Sequence, residues 1–223
     1  DIVFNSIWGR VEWLRNIGTK HAPKLALPRA IEVEWEGPAP KPAWTWWVPN
    51  GKALVTQWRT TPVVHDFNGD GLLDLAMLDP EGSLAFYERA RRDRKVVLLP
   101  PRRVFADERG EPLRLNANRA GRSGRRKLCV VDWDGDGQLD LVVGNFSGTF
   151  YWFKGQGKGK FAPKAELIKA GSEPLRIKGA HSDPFVIDWD GDGDLDLVSG
   201  SSDGGVYWAE NKAGKGKVPE VTA

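Results

Sequence analysis

The sequence predicts an all-β fold made of propeller-type blades. Three near-identical segments recur along the 223 residues, DFNGDGLLDL (66–75), DWDGDGQLDL (132–141) and DWDGDGDLDL (188–197). Apolar residues alternate with other residues after each segment, which is the period of a half-buried strand, and no stretch has a convincing helical period. Repeats of about 55–70 residues with short strands and Gly-rich turns are typical of propeller blades.

Strands are predicted in order around each acidic segment. A short apolar run precedes the segment, a second run follows it, and a Gly-bearing turn leads to a third, alternating run. The preceding runs are PVVH (62–65), LCVV (128–131) and PFVI (184–187), and the alternating runs are SLAFYER (83–89), TFYWFK (149–154) and VYWAEN (206–211). The acidic segment therefore falls between the first two strands of every repeat.

The first residues match the second half of the same repeat. DIVFNSIWGRVEWLRN aligns with DLVVGNFSGTFYWFKG, so that Asp1 takes the position of Asp140. We therefore expect the chain to begin inside a repeat and to be a segment of a longer propeller. The chain is divided into a partial unit with an insertion (1–58) and the units 59–126, 127–180 and 181–223. Residues 17–58 and 89–127 are expected to be long loops or insertions that face a partner.

Composition excludes several classes of protein. No run of 18 apolar residues occurs, and the N-terminal residues lack the pattern of a signal peptide, so the sequence predicts no membrane span. A single cysteine, Cys129, excludes an intrachain disulfide, and three histidines with one cysteine are too few for a structural zinc site. Phosphate-loop, dinucleotide and nucleophile motifs are absent from the sequence.

Each acidic segment has the donor pattern of a calcium loop. Side-chain oxygens occupy positions 1, 3, 5 and 9, and glycines at positions 4 and 6 permit a tight turn. Main-chain oxygens are expected from position 7. The predicted side-chain ligands are Asp66, Asn68, Asp70 and Asp74 in loop one, Asp132, Asp134, Asp136 and Asp140 in loop two, and Asp188, Asp190, Asp192 and Asp196 in loop three, and the position-7 residues are Leu72, Gln138 and Asp194.

Three structural Ca²⁺ ions are therefore expected. An EF-hand is excluded because position 12, which needs a bidentate Glu, holds Met77, Val143 and Ser199. Simple acidic β-turns are disfavoured because clustered carboxylates repel one another without a cation. Loop one has the fewest carboxylates and is expected to bind calcium most weakly.

These units resemble FG-GAP/VCBS repeats, the calcium-loop blades also found in integrin α-subunit heads. The resemblance covers most of the chain outside 17–58 and 89–127. It implies a β-propeller and an extracellular or cell-surface location. It implies no single function, because such propellers occur in adhesion proteins, in lectins and in polysaccharide lyases.

Tryptophans and arginines are the candidates for ligand binding. Repeated tryptophans at equivalent positions, such as Trp133 and Trp189 or Trp152 and Trp208, are predicted to pack within the blades. Non-repeated aromatic side chains suit a sugar ring or a protein partner, although packing over a blade is an equally good interpretation. The non-repeated candidates are Trp44, Trp46, Trp47 and Trp58, followed by Arg59.

Residues 89–127 are strongly basic, with 14 Lys and Arg against 4 Asp and Glu. Such a run is either a solvated face or a surface for uronate or sulfate groups, since the arginine fork matches such oxyanions. Nucleic acid is not expected as a partner, because the rest of the chain is acidic.

Catalytic residues are not evident. His65 replaces a core residue and is predicted to be structural. His181, Arg59 and Arg125 occupy equivalent positions of three repeats and are candidates for a site near a propeller rim. A polyuronate lyase would need such a base together with a cation.

Three functional hypotheses follow. The first is a secreted, calcium-stabilised and non-catalytic module that binds carbohydrate, preferably anionic polysaccharide, through the segment from Trp44 to Trp58 and the basic residues 89–127. The second is part of a carbohydrate-active enzyme resembling a polysaccharide lyase. The third is an adhesion or protein-interaction propeller. Further blades are expected upstream or from another chain.

Overall fold

The computed structural model describes residues 1–42, 44–45, 47–106, 109–115, 127–158 and 160–222. Twenty β-strands and no helix occur among these residues, which confirms the predicted all-β class. No helix within these ranges has the length and apolar character needed to cross a membrane.

The chain divides into two compact units. The first contains Asp1–Val64 and Gly71–Arg103 together with Arg114 and Leu115, and the second contains His65–Asp70, Val104–Leu113 and the described residues from Lys127 onward. The four repeat units predicted from the sequence stay a prediction, because this division follows spatial contacts and not the repeat.

The first unit is built on short antiparallel sheets. A three-stranded sheet has the order β1-β2-β3, a second has the order β4-β5-β6, and β7 pairs with β8 as a hairpin. The strands are β1 (Ile2–Asn5), β2 (Val11–Leu14), β3 (Arg29–Ala30), β4 (Val63–His65), β5 (Asp74–Leu78), β6 (Leu84–Tyr87), β7 (Arg89–Arg92) and β8 (Lys95–Leu98). Of the two alternatives for residues 89–127, a long loop is wrong for 89–98, where Ala90 pairs with Val97 across the hairpin, and a partner-facing insertion stays a prediction.

The core of the first unit lies between these sheets. Its buried residues are Val11, Val33, Leu54, Leu75, Met77, Ala85, Tyr87 and Leu98. Leu75 and Met77 of β5 and Ala85 and Tyr87 of β6 occupy alternate strand positions, because side chains of one strand point to opposite faces in turn, whereas Val33 and Leu54 lie outside the strands.

The second unit contains two larger sheets, of orders β14-β11-β10-β9 and β16-β15-β20-β19-β18-β17, and the small hairpin of β12 and β13. The strands of the first sheet and the hairpin are β9 (Leu128–Val131), β10 (Asp140–Gly144), β11 (Phe150–Phe153), β12 (Gly155–Gly157), β13 (Lys160–Phe161) and β14 (Glu166–Leu167). The strands of the other sheet are β15 (Lys169–Ala170), β16 (Glu173–Pro174), β17 (Asp183–Ile187), β18 (Asp196–Gly200), β19 (Val206–Asn211) and β20 (Val221–Thr222).

The two larger sheets share one register. Val142 of β10 pairs with Trp152 of β11, and Val198 of β18 pairs with Trp208 of β19, each 56 residues later. The sheets also share one core, whose buried residues are Trp133, Val142, Phe150, Trp152, Ile168, Leu175, Ile177, Val186, Leu197, Ala209 and Val221.

Candidate metal centres

The first and second strands of each repeat hold an acidic loop between them. Loop two joins β9 to β10, and loop three joins β17 to β18. Positive backbone φ angles occur at the loop glycines, including Gly135 and Gly191 at position 4, a conformation that only glycine adopts without strain. The sequence pattern and the loop geometry therefore agree.

Two clusters of three aspartates form in these loops. Asp132, Asp134 and Asp136 have carboxylate oxygens within 4.8 Å of one another, and Asp188, Asp190 and Asp192 do as well. These six residues are positions 1, 3 and 5 of the predicted ligand sets. Each triad could hold a metal ion, because converging carboxylate oxygens are the ligands that hard divalent cations prefer.

The loop backbones curl around the aspartates. In loop two, the amide of Gly137 donates to Asp132 Oδ2 at 3.0 Å and that of Gln138 donates to Asp136 Oδ1 at 2.8 Å. In loop three, the amide of Gly191 donates to Asp188 Oδ1 at 2.8 Å. These bonds hold one carboxylate oxygen of Asp132, Asp136 and Asp188 against the loop backbone.

Unpartnered oxygens provide an independent sign that a cation fits. Asp132 Oδ1 and Asp194 Oδ1 are buried from solvent and have no hydrogen-bond partner. A buried carboxylate oxygen without a partner costs free energy unless a cation compensates it. The donor sets therefore fit a hard cation such as Ca²⁺ chemically.

Asp194 was predicted to contribute only its main-chain oxygen. Its side chain is 4% exposed, and the amide of Gly214 donates to Oδ2 at 2.9 Å. Burial, followed by the nearby charges of Asp192 and Asp196, raises the pKa of Asp194 above the usual value of an aspartate. The side chain thus adds a fifth carboxylate to loop three, whereas Gln138 at the same position of loop two is neutral.

The aspartates at position 9 lie outside the two triads and are fully buried. Asp140 accepts hydrogen bonds from the amides of Gly155 at 2.7 Å and Trp133 at 3.1 Å. Asp196 accepts the equivalent bonds from Asn211 at 2.8 Å and Trp189 at 3.1 Å. These carboxylates fasten each loop to the end of the third strand, and their role as metal ligands stays a prediction.

Loop one has similar local hydrogen bonds, and the side-chain amide of Asn68 takes the place of a carboxylate at position 3. The amides of Gly69 and Asp70 donate to Asp66 Oδ1 at 2.9 and 3.1 Å, and Asp70 also donates to Asn68 Oδ1 at 3.0 Å. In the first unit, Asp74 accepts a bond from the amide of Arg89 at 2.7 Å, and Leu72 is buried.

The two complete acidic loops differ in the side chain that follows the third strand. Lys154 Nζ forms an ion pair with Asp134 and another with Asp136 at 3.2 Å. The hydrogen bonds raise the pKa of Lys154 above its usual value. The equivalent residue of loop three is Glu210, whose charge contributes to raising the pKa of Asp190 after the larger effect of burial and the charges of Asp192 and Asp196.

Neighbouring residues cover part of the predicted aromatic ligand site. Trp47 is 8% exposed, its Nε1 donates to the carbonyl of Trp8 at 3.2 Å, and the guanidinium of Arg10 lies 4.4 Å from its ring centre. Trp44 is half-buried and donates to the carbonyl of Pro80 at 3.3 Å. Trp46 lies outside the described residues.

Arg59 and His181 share an unusual backbone conformation, with φ of 56° and 58°. The guanidinium of Arg59 lies 4.8 Å from the ring centre of the half-buried Trp58, whereas the ring of His181 meets Phe146 edge-on at 4.5 Å. Arg125 lies outside the described residues, and the proposed rim site stays a prediction.

The predicted burial of the repeated tryptophans holds for one repeat only. Trp133 and Trp152 are 4% and 7% exposed, whereas the equivalent Trp189 and Trp208 are 60% and 44% exposed. The prediction is wrong for the second pair: Trp133 and Trp152 belong to the core that the two larger sheets share, whereas Trp189 and Trp208 do not.

Comparisons with known proteins give a family match over part of the chain and a remote structural likeness. The profile of the FG-GAP-like repeat matches residues 132–199. No curated protein matches significantly. A solved structure of an Agrocybe aegerita lectin, described as recognising non-reducing terminal N-acetylglucosamine, superposes with a TM-score of 0.47 at 16% identity, over 96% of this chain and 46% of that chain.

The family profile begins at the first ligand of loop two and ends just after loop three. It therefore covers both aspartate triads and the strands between them. Residues 132–199 form an FG-GAP-like repeat segment.

Proposed function

We propose that the chain is part of a secreted, calcium-stabilised β-propeller that binds carbohydrate with anionic groups and does not itself catalyse a reaction. Ca²⁺ would be held in loops of the DxDxDGxxD type, and its function would be structural. The metal assignment rests on the two aspartate triads, together with buried, unpartnered oxygens at Asp132 of the first triad and at Asp194, which follows the second triad in loop three. The extracellular location rests on the family resemblance.

Calcium would act by neutralising the converging carboxylates. An ion that binds only the folded state stabilises it by about 2.7 kcal/mol when its concentration is a hundred times Kd. Asp188, Asp190 and Asp192 would supply side-chain oxygens in loop three, where the carboxylate of Asp194 lies next to them.

The test of the calcium assignment is thermal unfolding with calcium, with magnesium and with a chelator. We expect calcium to raise Tm and magnesium to have a much smaller effect, because the flexible oxygen sites suit the larger ion. The triple variant Asp188→Asn, Asp190→Asn, Asp192→Asn should lose most of the response. Asp93→Asn, in an exposed turn with φ of 48°, is the matched control. A Tm that is the same with calcium and with chelator would contradict the assignment.

The carbohydrate assignment is supported by the hairpin of β7 and β8. Arg91, Arg92, Arg94 and Lys95 are exposed on this hairpin, and none of them forms an ion pair with a described residue. The charges of Arg92 and Lys95 act on Glu34, whose pKa they help to lower after the larger effect of Lys52. Exposed arginines outside ion pairs remain available for uronate or sulfate groups. The aromatic residues from Trp44 to Trp58 are less favourable, because packing covers the ring of Trp47.

Affinity electrophoresis through gels with pectin, alginate, sulfated galactan or neutral glucan tests this assignment. The variant Arg91→Glu, Arg92→Glu, Arg94→Glu should lose retardation in the acidic gels. Lys20→Glu, Lys24→Glu, Lys41→Glu changes the formal charge equally at exposed sites elsewhere and should keep the retardation. Equal loss in both variants would indicate a bulk charge effect and contradict a site on the hairpin.

Two other functions give distinct results in the same experiment. Shortening of the polysaccharide with new unsaturated uronate absorbance would indicate a lyase-like enzyme. Indifference to every glycan, together with capture of a specific protein, would indicate an adhesion propeller. The hairpin arginines favour the first proposal, because their exposed guanidinium groups suit the oxyanions of an acidic polysaccharide.

We also propose that a further repeat of the same kind covers the exposed face of β17, β18 and β19. Phe185 is 58% and Val206 is 73% exposed there, beside Trp208. On the preceding repeat, the equivalent of Val206 is Phe150, which the second sheet buries completely. In sedimentation equilibrium with a hydrophobic dye, we expect self-association or dye binding that Phe185→Glu with Val206→Glu abolishes. A monomer that binds no dye would contradict this proposal.

A further inference from the structure

We infer that Lys154 is an internal counter-ion of loop two, which weakens calcium binding there and leaves loop three as the tight calcium site of the pair. The inference rests on the proposed calcium function of the acidic loops. It concerns the difference between two loops that share the same aspartates at positions 1, 3, 5 and 9.

The fold fixes the position of Lys154 over its loop. The amide of Gly155 donates to the buried Asp140 of loop two, and the amide of Asn211 donates to the buried Asp196 of loop three. This bond fastens the acidic loop to the start of β12, just after β11, in the first of these repeats and to the last residue of β19 in the second. The preceding residue, Lys154 or Glu210, therefore stands at the same place relative to its aspartate triad.

Lys154 satisfies two of the three carboxylates in its triad. Its ammonium pairs with Asp134, which is 5% exposed, and with Asp136 at 3.2 Å. A divalent ion that used these same carboxylates would have to displace the ammonium or bind beside a positive charge. Either event weakens calcium binding, because like charges at this distance repel.

Loop three has the opposite charge arrangement. Glu210 replaces the lysine, and Asp194 replaces the neutral Gln138, so loop three has two more acidic side chains. None of the ion pairs among the described residues involves an aspartate of loop three. Lys212 contacts Glu210 at 3.2 Å, and the side chain of Lys215 lies beside Gly193 of loop three without an ion pair to its aspartates. No described lysine or arginine therefore compensates the aspartates of loop three by a direct ion pair, as Lys154 does in loop two.

Among the three repeats with an acidic loop, only the repeat of loop two has a lysine at this position. Glu88 is the equivalent residue of the repeat that holds loop one, where it pairs with Arg102 at 2.8 Å. Two of the three repeats therefore place a glutamate where the third places a lysine. Lys154 lies outside the nine positions of the acidic motif. A motif search that reads only those positions therefore does not detect the lysine.

The test counts tightly bound calcium ions by competition with a chromophoric chelator. The wild-type chain and the variants Lys154→Met, Glu210→Lys and Lys169→Met are compared. Lys154→Met removes the ammonium but keeps the apolar stem, and it should add one tight site or raise the affinity of one site at least tenfold. Glu210→Lys should remove one tight site. Lys169, which is exposed on β15, is the matched control and should leave the count unchanged.

A second readout uses thermal unfolding. With chelator, Lys154→Met should melt below the wild type, because loop two then has neither ammonium nor calcium. With excess calcium, the variant should recover the wild-type Tm. A charge-preserving Lys154→Arg variant should keep the wild-type melting temperature in the chelator, which separates loss of charge from loss of packing.

The outcomes separate this inference from the calcium function itself. If no variant binds calcium, the proposed function fails. If the wild type binds calcium and both Lys154→Met and Glu210→Lys leave the count and affinities unchanged, calcium binding stands and the role of Lys154 is overturned. If Lys154→Met fails to fold, loss of a tight site in Glu210→Lys supports the inference and an unchanged count overturns it.

Discussion

The repeats of residues 127–180 and 181–222 have the same strands and the same acidic loop, yet their surroundings differ. Trp133 and Trp152 of the first are buried, whereas Trp189 and Trp208 at the equivalent positions are exposed. Loop two pairs with Lys154, whereas loop three faces Glu210. The shared motif therefore specifies the backbone of the loop, and the neighbouring strands decide how much of each repeat is covered and how its charge is compensated.

The largest expected difference between the repeats is the cost of removing a tryptophan. Trp152→Ala should lower the free energy of unfolding by about 3–5 kcal/mol, because it opens a cavity in the core of the second unit. Trp208→Ala, at the same position of the exposed face, should cost less than about 1 kcal/mol. Urea unfolding monitored by circular dichroism measures both values. Equal costs would mean that the face of β19 is covered in solution.

The glycines at position 4 give a second matched pair. Both have positive φ, 70° at Gly135 and 83° at Gly191, so an alanine is strained at either place. A Cβ on Gly135 would lie 2.3 Å from the Cα of Gly216, whereas a Cβ on Gly191 has no neighbour within 4 Å. We expect Gly191→Ala to cost about 1 kcal/mol and Gly135→Ala about 3 kcal/mol in the same unfolding assay.

If both glycine variants lose the same stability, backbone strain alone explains the cost. The close approach of the segment around Gly216 to loop two would then not persist in solution. Comparing both variants with and without calcium also reports whether each loop must adopt its tight turn to bind the ion.

The smallest expected effect concerns the charge of loop three. Glu210→Gln removes one negative charge near Asp190 and should raise the unfolding free energy in chelator only slightly, because exposed charge interactions are weak. The same variant should bind calcium more weakly, so the two effects have opposite signs with and without the ion. Glu173→Gln, an exposed residue of β16, is the control and should change neither quantity. The same sign in both conditions would contradict an electrostatic cause.

Much of the local structure could be predicted from sequence periodicity. The apolar runs at 128–131 and 184–187 lie in β9 and β17, and the alternating runs lie in β11 and β19. The aspartate triads also follow from the motif, because a turn of fixed length brings positions 1, 3 and 5 together whatever surrounds it.

What could not be predicted depends on contacts between distant segments. Lys154 lies 14 residues after Asp140 and reaches loop two only when β10 and β11 pair as a hairpin. The different exposure of Trp133 and Trp189 cannot be read from their identical local sequences, because it depends on the sheet that packs next to each residue. The hairpin of β7 and β8 was not predicted, because arginines occupy most of β7 and leave only a short alternation of apolar residues.

Hydrogen exchange of the two acidic loops tests the central claim most directly. Exchange at residues 132–140 and 188–196 is followed by mass spectrometry in chelator and in excess calcium. We predict that calcium slows exchange in loop three by at least about tenfold and changes loop two by less than about twofold, because Lys154 already compensates its aspartates. Equal protection of both loops by calcium, or protection of neither, would contradict this account.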